Sequence, residues 1–262
     1  MAWDPALYLK FGDERLRPGF ELLARIGELP PGPLYELGCG TGVHARAIAA
    51  RWPDCGLSAI DHSREMLAKA AAEPSSIQWM EADIGRWSAP KPGALIFSNA
   101  TLQWLGAHER LFPHLLRQLV PGGVLAVQMP RNFAQDSHRL MRETAAQGPW
   151  AERLAPVLGS STVLGQEPVM PPEAYYDLLT PLASHLDLWE TEYLQVLSGE
   201  DAVLEWVRGT SLRPILDALA PDERAAFTAA YGARLRQAYP RRGDDGKTLF
   251  PFRRLFLVAR LG

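Results

Sequence analysis

Residues 33–43 read Pro33-Leu34-Tyr35-Glu36-Leu37-Gly38-Cys39-Gly40-Thr41-Gly42-Val43, an apolar run that enters a cluster of three glycines and leaves it as an Ala-rich segment. The run over 33–37 predicts a strand, the glycines a tight turn, and residues 43–52, with helix-like apolar spacing, a helix. After the breakers Pro53 and Gly56 a second strand is predicted at 57–60, ending at Asp61, and Ser63 then caps a helix over 64–72. Residues 77–80 give a third strand, 94–98 a fourth, 107–119 a helix, and 124–129 a fifth strand behind Pro121-Gly122-Gly123. Near-continuous apolar strands such as these are buried on both faces, and their alternation with helices is the signature of a doubly wound α/β sheet.

Beyond Pro130 the rhythm changes. Residues 136–147 read as helix, 157–172 are rich in Gly, Ser and Pro, and 186–197 alternate like a strand around Trp189, Thr191 and Tyr193. A helical block at about 200–239 precedes a last apolar strand at 255–259. The expected organisation is one domain: an N-terminal helical arm (1–30), a core (31–130), connecting helices and a sixth strand (131–198), a helical lid (199–252) and the last strand (253–262).

Composition narrows the functional classes. The 262 residues are 47% hydrophobic and 22% charged, enough to bury a large core, which excludes disorder as the dominant state. Lys and Arg number 27 against 30 Asp and Glu, so the net charge of −3 gives no global attraction to nucleic acid or anionic membrane. Two cysteines, Cys39 and Cys55, make neither a disulfide framework nor a zinc site, so no metal is expected and a cytoplasmic compartment is the default. Residues 1–20 are too charged for a signal peptide, and no apolar run is long enough to span a membrane.

A glycine turn between strand and helix lets a ligand lie against backbone N–H groups, because no Cβ blocks the approach. Alone it is a weak signal. Asp61, 23 residues after Gly38 at the end of the second strand, strengthens it, since a carboxylate there accepts hydrogen bonds from ribose hydroxyls; Asp83 follows the third strand at the same edge. A nicotinamide enzyme and an S-adenosylmethionine enzyme then compete. Val43 stands where the dinucleotide fingerprint wants its last glycine or alanine, and a pyrophosphate has no use for acidic neighbours. A methionine ammonium and a sulfonium do: Glu36 suits the cationic methionine part, Asp61 the ribose, and Asp83 with the Ile84 backbone the adenine edge.

These residues, with Ala82-Asp83-Ile84 and Pro121-Gly122-Gly123, resemble the class I S-adenosylmethionine-dependent methyltransferases. The resemblance implies a seven-stranded Rossmann-like sheet with an antiparallel last strand. It also implies S-adenosylmethionine as cofactor, S-adenosylhomocysteine as product, and cofactor contacts at Glu36, Gly38, Cys39, Gly40, Asp61, His62, Met66, Asp83, Ile84 and Asn99. The segment Phe97-Ser98-Asn99-Ala100-Thr101-Leu102-Gln103-Trp104-Leu105 lacks the Pro-Pro-aromatic signature of base-amine methylases. Asn99 and Gln103 offer neutral hydrogen bonds, and Trp104 an aromatic wall for a sulfonium or a core side chain.

A closer resemblance, to the family of trans-aconitate 2-methyltransferases, rests on Trp3-Asp4-Pro5, Leu7-Tyr8-Leu9, Phe11, Glu14-Arg15 and Arg17-Pro18. It continues in Asn99 to Leu105, Leu111-Phe112-Pro113-His114-Leu115, Ala174-Tyr175-Tyr176-Asp177, Ser211-Leu212-Arg213-Pro214 and Arg254-Leu255-Phe256. It implies esterification of a carboxylate on a small polycarboxylate. Such an oxygen is already ionised at neutral pH, so no catalytic base is expected, only alignment and exclusion of water. The acceptor's other carboxylates call for guanidiniums, and Arg15, Arg213 and Arg254, with Tyr8 and Trp104, are the expected positioning residues. Phe11 and Tyr176 add wall or hydroxyl contacts, and Arg17, Arg131 and Arg253 stand behind the first three. The bland alternative for each arginine is a solvated side chain. The expected species is a monomer acting on a small molecule. Methylation of a carrier-bound malonyl group, or cofactor binding without turnover, are the alternatives.

Overall fold

The computed structural model describes residues 12–159 and 169–262. The chain runs α1 (Gly12–Arg25), β1 (Leu34–Leu37), α2 (Val43–Arg51), β2 (Leu57–Asp61), α3 (Arg64–Ala71), β3 (Gln78–Glu81), β4 (Gly93–Asn99), α4 (His108–Leu116) and β5 (Leu119–Pro130). It continues through α5 (Asp136–Gln147), α6 (Ala151–Gly159), α7 (Pro172–Leu179), β6 (Ala183–Leu197), α8 (Ala202–Arg208), α9 (Arg213–Ala218), α10 (Pro221–Ala238) and β7 (Thr248–Leu261). Short 3-10 turns lie at Ile84–Arg86 and Leu102–Trp104.

The seven strands form one sheet in the order β3-β2-β1-β4-β5-β7-β6. β1 pairs in parallel with β2 on one side (Glu36 opposite Ala59) and with β4 on the other (Glu36 opposite Phe97). The winding therefore reverses between β1 and β4, and the loops at their carboxyl ends flank a topological switch point, the place where doubly wound sheets bind ligands. Every residue of β1 is buried, as a central parallel strand requires.

Two compact units make up the described chain: a sheet unit of residues 16–130, 169–191 and 255–262, and a helical unit of 12–15, 131–159 and 192–254. The sheet unit packs Leu34, Leu37, Ile48, Ile60, Phe97, Leu125 and Phe256 out of solvent. The helical unit has its own core, in which Trp150 meets Phe227 edge-on at 5.1 Å and Trp206 meets Phe250 at 5.9 Å.

Ser63 caps α3 as its sequence indicates, accepting from Met66 N–H at 3.3 Å. Other boundaries move. The fifth strand begins at Leu119, ahead of the expected 124, because Gly122 at φ +77° and a register irregularity between Gly93 and Leu95 let the ladder continue through Pro121-Gly122-Gly123. The last strand begins at Thr248, inside the stretch 199–252 read as lid, and the helical block resolves into α8, α9 and α10, with Pro214 and Pro221 each set in a first turn.

Candidate active site

The glycine turn is held from β2. Ile60 carbonyl accepts from Gly38 N–H at 2.8 Å and Cys39 N–H at 3.0 Å, and the Asp61 carboxylate accepts from Gly40 N–H and Ser63 N–H, both at 2.9 Å. Asp61, expected to face a ribose, therefore also builds the turn. Gly38 sits at φ +80°, and a Cβ there would lie 2.0 Å from Thr101 Oγ1, so glycine is required on backbone and packing grounds together. The same holds at Gly42, which caps α2 at φ +79° with the Trp79 ring where its Cβ would be.

Glu36 ends in this neighbourhood almost wholly buried, at 1% exposure, and its Oε2 has no hydrogen-bond partner among the described residues. Burial first, and the charge of Asp61 second, hold its carboxyl well above the usual carboxylate range. Burial also pushes the Cys39 thiol up, with Glu36 and Asp61 adding to it, so Cys39 is an inert turn residue and not a nucleophile. The guanidinium beside the turn, Arg46, donates to the Thr41 carbonyl at 3.0 Å and the Ala70 carbonyl at 2.6 Å. An acidic turn with an unsatisfied buried carboxylate oxygen fits the cationic methionine part of S-adenosylmethionine and opposes a pyrophosphate.

At the edge of the turn, Met66 and Ile84 are buried, while the side chain of His62 is largely exposed, 3.5 Å from Asp61. Asp83 caps the turn after β3 by accepting from Gly85 N–H at 2.9 Å. Across the switch point, Ser98 Oγ donates to the Leu37 carbonyl at 2.8 Å and ties β4 to β1. Asn99 follows, its Oδ1 buried and without a partner among the described residues. Trp104 leaves 42% of its surface exposed, which removes the core alternative and keeps it available as a wall.

Two buried histidines of this unit, His44 and His108, are structural. His44 Nε2 donates to the Leu16 carbonyl at 3.1 Å, and burial lowers its pKa. His108 Nε2 donates to the Leu102 carbonyl at 2.9 Å, so Nδ1 is the acceptor for the Tyr175 hydroxyl at 2.6 Å. That assigns the buried role to Tyr175; Tyr176, the residue expected to contribute at a pocket, is 53% exposed.

In the helical unit Arg15 and Arg254 are 6% and 3% exposed. Arg15 Nη2 donates to the Trp206 carbonyl at 3.0 Å, and its guanidinium lies 4.9 Å over the Trp206 ring. Arg254 lies 4.6 Å over Phe252 and 5.9 Å over Tyr193. Trp206 and Phe252 are themselves neighbours at 5.6 Å, so one linked ring pair receives both cations. Arg213, at the start of α9, is a quarter exposed and 3.8 Å from Asp217. Arg17 is exposed and bound to Glu21 at 2.6 Å, and Arg253 stands 3.6 Å from Glu192. Tyr8 and Phe11 lie outside the described residues. Sequence reasoning passed over Trp206 and Phe252, which carry no motif.

Among the described residues no group of His, Cys, Asp and Glu is arranged to hold a metal ion, and no helix is long and apolar enough to cross a membrane. Residues 34–123 match the family described as a methyltransferase domain. The chain is 49% identical over 257 residues to the trans-aconitate 2-methyltransferase of Azoarcus sp. (strain BH72), with 98% of each covered. It is 46% identical to that of Methylobacterium radiotolerans, with 98% of each covered, and 42% identical to that of Klebsiella pneumoniae, covering 98% of this chain and 97% of the relative. Among solved structures, Haemonchus contortus phosphoethanolamine N-methyltransferase 2 in complex with S-adenosyl-L-methionine superposes with a TM-score of 0.51 at 14% identity, covering 94% of this chain and 53% of that one. The cyclopropane synthase MmaA2 from Mycobacterium tuberculosis gives a TM-score of 0.52 at 17% identity, covering 93% and 83%. At those identities the likeness concerns the fold.

Proposed function

The chain belongs to the trans-aconitate 2-methyltransferase family of S-adenosylmethionine-dependent enzymes, and on that premise we propose that it esterifies one carboxylate of trans-aconitate, or of a closely related small polycarboxylate. The products are a monomethyl ester and S-adenosylhomocysteine. The observation that carries the acceptor half of this reading is the burial of Arg15 and Arg254 against Trp206 and Phe252. Two guanidiniums held at one aromatic pair present planar forks of N–H donors, the geometry that binds carboxylates bidentately, and a polycarboxylate supplies such groups.

S-adenosylmethionine, when bound, supplies a methyl group made electrophilic by a sulfonium. Glu36 offers its unsatisfied oxygen to the donor's ammonium, Asp61 takes ribose hydroxyls with the acceptor capacity left after Gly40 and Ser63, and Asp83 with the Ile84 backbone meets the adenine edge. Gly38, Cys39 and Gly40 keep the turn free of bulk, and His62 and Met66 complete the surround. The nucleophile is the acceptor's own carboxylate oxygen, ionised at neutral pH, so the chain has no proton to remove. Arg15 and Arg254, with Arg213, grip the remaining carboxylates, and Trp104 walls the reacting centre.

The test is incubation of the purified protein with methyl-labelled S-adenosylmethionine and a panel of trans-aconitate, cis-aconitate, citrate, isocitrate and a carrier-bound malonyl group. A base-labile labelled ester on trans-aconitate is expected. Label on carrier-bound malonyl alone, or on no acceptor by a protein that binds S-adenosylhomocysteine, overturns the reading.

A further inference from the structure

The loop after β4 contains a backbone conformation that its residue disfavours. Ala100 stands at φ +52°, in the left-handed region where the Cβ of an L-residue crowds the backbone. Both of its backbone polar groups are pinned. Ala100 N–H donates to the Gln128 carbonyl on β5 at 2.9 Å, and the Ala100 carbonyl accepts from Gln103 Nε2 at 2.8 Å. Gln103 is itself buried, and its Oε1 has no partner among the described residues, so the Ala100 carbonyl is the bond that orients its carboxamide. One residue on, Thr101 Oγ1 lies 3.1 Å from the Asn99 carbonyl and 3.4 Å from that of Gly38, interlocking this loop with the glycine turn.

We propose that Gln103 is a positioning residue of the reaction: its carboxamide clamps Ala100 in the left-handed conformation and thereby fixes Asn99, the residue before it, so that the buried Asn99 Oδ1 is held ready to accept from the bound cofactor. The assignment rests on the reading of Asn99 as a cofactor contact. Its physical content is a division of labour. Asn99 carries an acceptor oxygen that the protein leaves unsatisfied, and Gln103 never touches the ligand but removes the loop's freedom to relax away from it. Without the clamp Ala100 has reason to leave φ +52°, and Asn99 moves with it.

The experiment is a pair of double-mutant cycles read by calorimetric binding of S-adenosylhomocysteine and by kcat and KM. Gln103→Met keeps the length and removes the donor; it is expected to weaken product binding about tenfold and to lower kcat, while leaving the acceptor KM within about twofold. In the Ala100→Gly background, where positive φ is free of strain, the same change is expected to cost about a third of that loss or less. In the Asn99→Ala background it is expected to cost almost nothing. Gln103→Glu, whose carboxylate cannot donate to the Ala100 carbonyl, carries the same expectations if the methionine variant does not fold. Equal costs of the Gln103 change in all three backgrounds, or a silent Gln103 change in a protein that binds S-adenosylhomocysteine, overturns the assignment alone. A wild-type chain that does not bind S-adenosylhomocysteine overturns the reading of Asn99 and the assignment with it.

Discussion

Glu36 and Asp61 stand on adjacent parallel strands, and the charge of Asp61 adds to burial in holding the Glu36 carboxyl well above the usual carboxylate range. Two acids at one turn would repel each other to no purpose in a scaffold. Asp61 is anchored by two backbone N–H groups, whereas Glu36 has an oxygen without a partner, so the pair is built to be completed by a cation.

Completion by a cation has a proton signature. With its folded pKa raised, Glu36 contributes stability that is present below the ordinary carboxyl pKa and lost as pH rises through the folded value. A cationic ligand favours the ionised form and so expels the proton. Binding of S-adenosylhomocysteine, whose amino group is retained, is expected to release up to about one proton below that folded pKa and to tighten as pH rises toward it. Calorimetry in buffers of different ionisation enthalpy measures the release. Glu36→Gln is expected to abolish it and weaken binding roughly 10- to 100-fold, as loss of a charge-assisted bond does; an unchanged proton count in the variant rejects the pairing.

Asp61 carries two loads that a substitution separates. Asp61→Ala leaves the Gly40 and Ser63 N–H groups without their acceptors, at about 1–3 kcal/mol for each group that stays buried. A melting temperature lower by several degrees is expected, together with loss of product binding. Asp61→Asn keeps one oxygen and loses the charge, so it should melt closer to wild type while shifting the Glu36 proton release to lower pH. Differential scanning fluorimetry and the same calorimetry check both; a pH profile in Asp61→Asn identical to wild type refutes the electrostatic link.

Much of this was readable from the chain because the decisive signals are local. Leu34, Tyr35 and Leu37 make β1 apolar around the single acid Glu36, Gly38 and Gly42 occupy positive φ, and Ser63 caps α3 by its own hydroxyl, so strand, turn and helix follow from neighbours in sequence. Long-range contacts wrote the rest. The Pro121-Gly122-Gly123 signal reads as a break, but pairing with β4 carries β5 through it. Nothing local distinguishes Tyr175 from Tyr176; the partner that buries Tyr175 is His108, 67 residues away. Trp206 matters because Arg15 reaches it across 191 residues, and Gln103 because of the strain it restrains at Ala100.

The three arginines should not be equal. Arg15 and Arg254 are buried at the Trp206–Phe252 pair, whereas Arg213 is more exposed and has Asp217 beside it. Arg254→Met, which keeps an apolar stem against Phe252, is expected to raise the KM for trans-aconitate by about 30-fold or more, given about 2–5 kcal/mol for truncating a buried charge pair. Arg254→Lys should recover only part of the loss, since the planar fork is gone. Arg213→Met should cost several-fold less. Steady-state kinetics at saturating cofactor, paired with S-adenosylhomocysteine affinity, measures this; equal loss of acceptor and product binding in Arg254→Met contradicts its role.

His138 gives the helical unit an acid-sensitive point independent of the chemistry. It is buried in α5, its Nδ1 is 3.2 Å from Ser137 Oγ, the Phe133 ring packs edge-on at 5.1 Å, and burial with the nearby Arg142 charge lowers its pKa to about 3. A base whose folded pKa lies below its unfolded value of 6.5 stabilises the fold fully above pH 6.5 and loses that contribution as pH falls toward 3. The loss approaches ~1.4 kcal/mol per pH unit within the window, on the order of 4–5 kcal/mol across it. Urea unfolding in half-unit steps from pH 7 to about pH 4 is expected to give a shallower acid slope for His138→Asn than for wild type by up to that amount per unit. The variant starts lower at pH 7, where the Phe133 packing is lost, and the two curves converge as the medium is acidified. Curves that stay parallel would mean that His138 takes up its proton in the folded state and that its burial exerts no leverage.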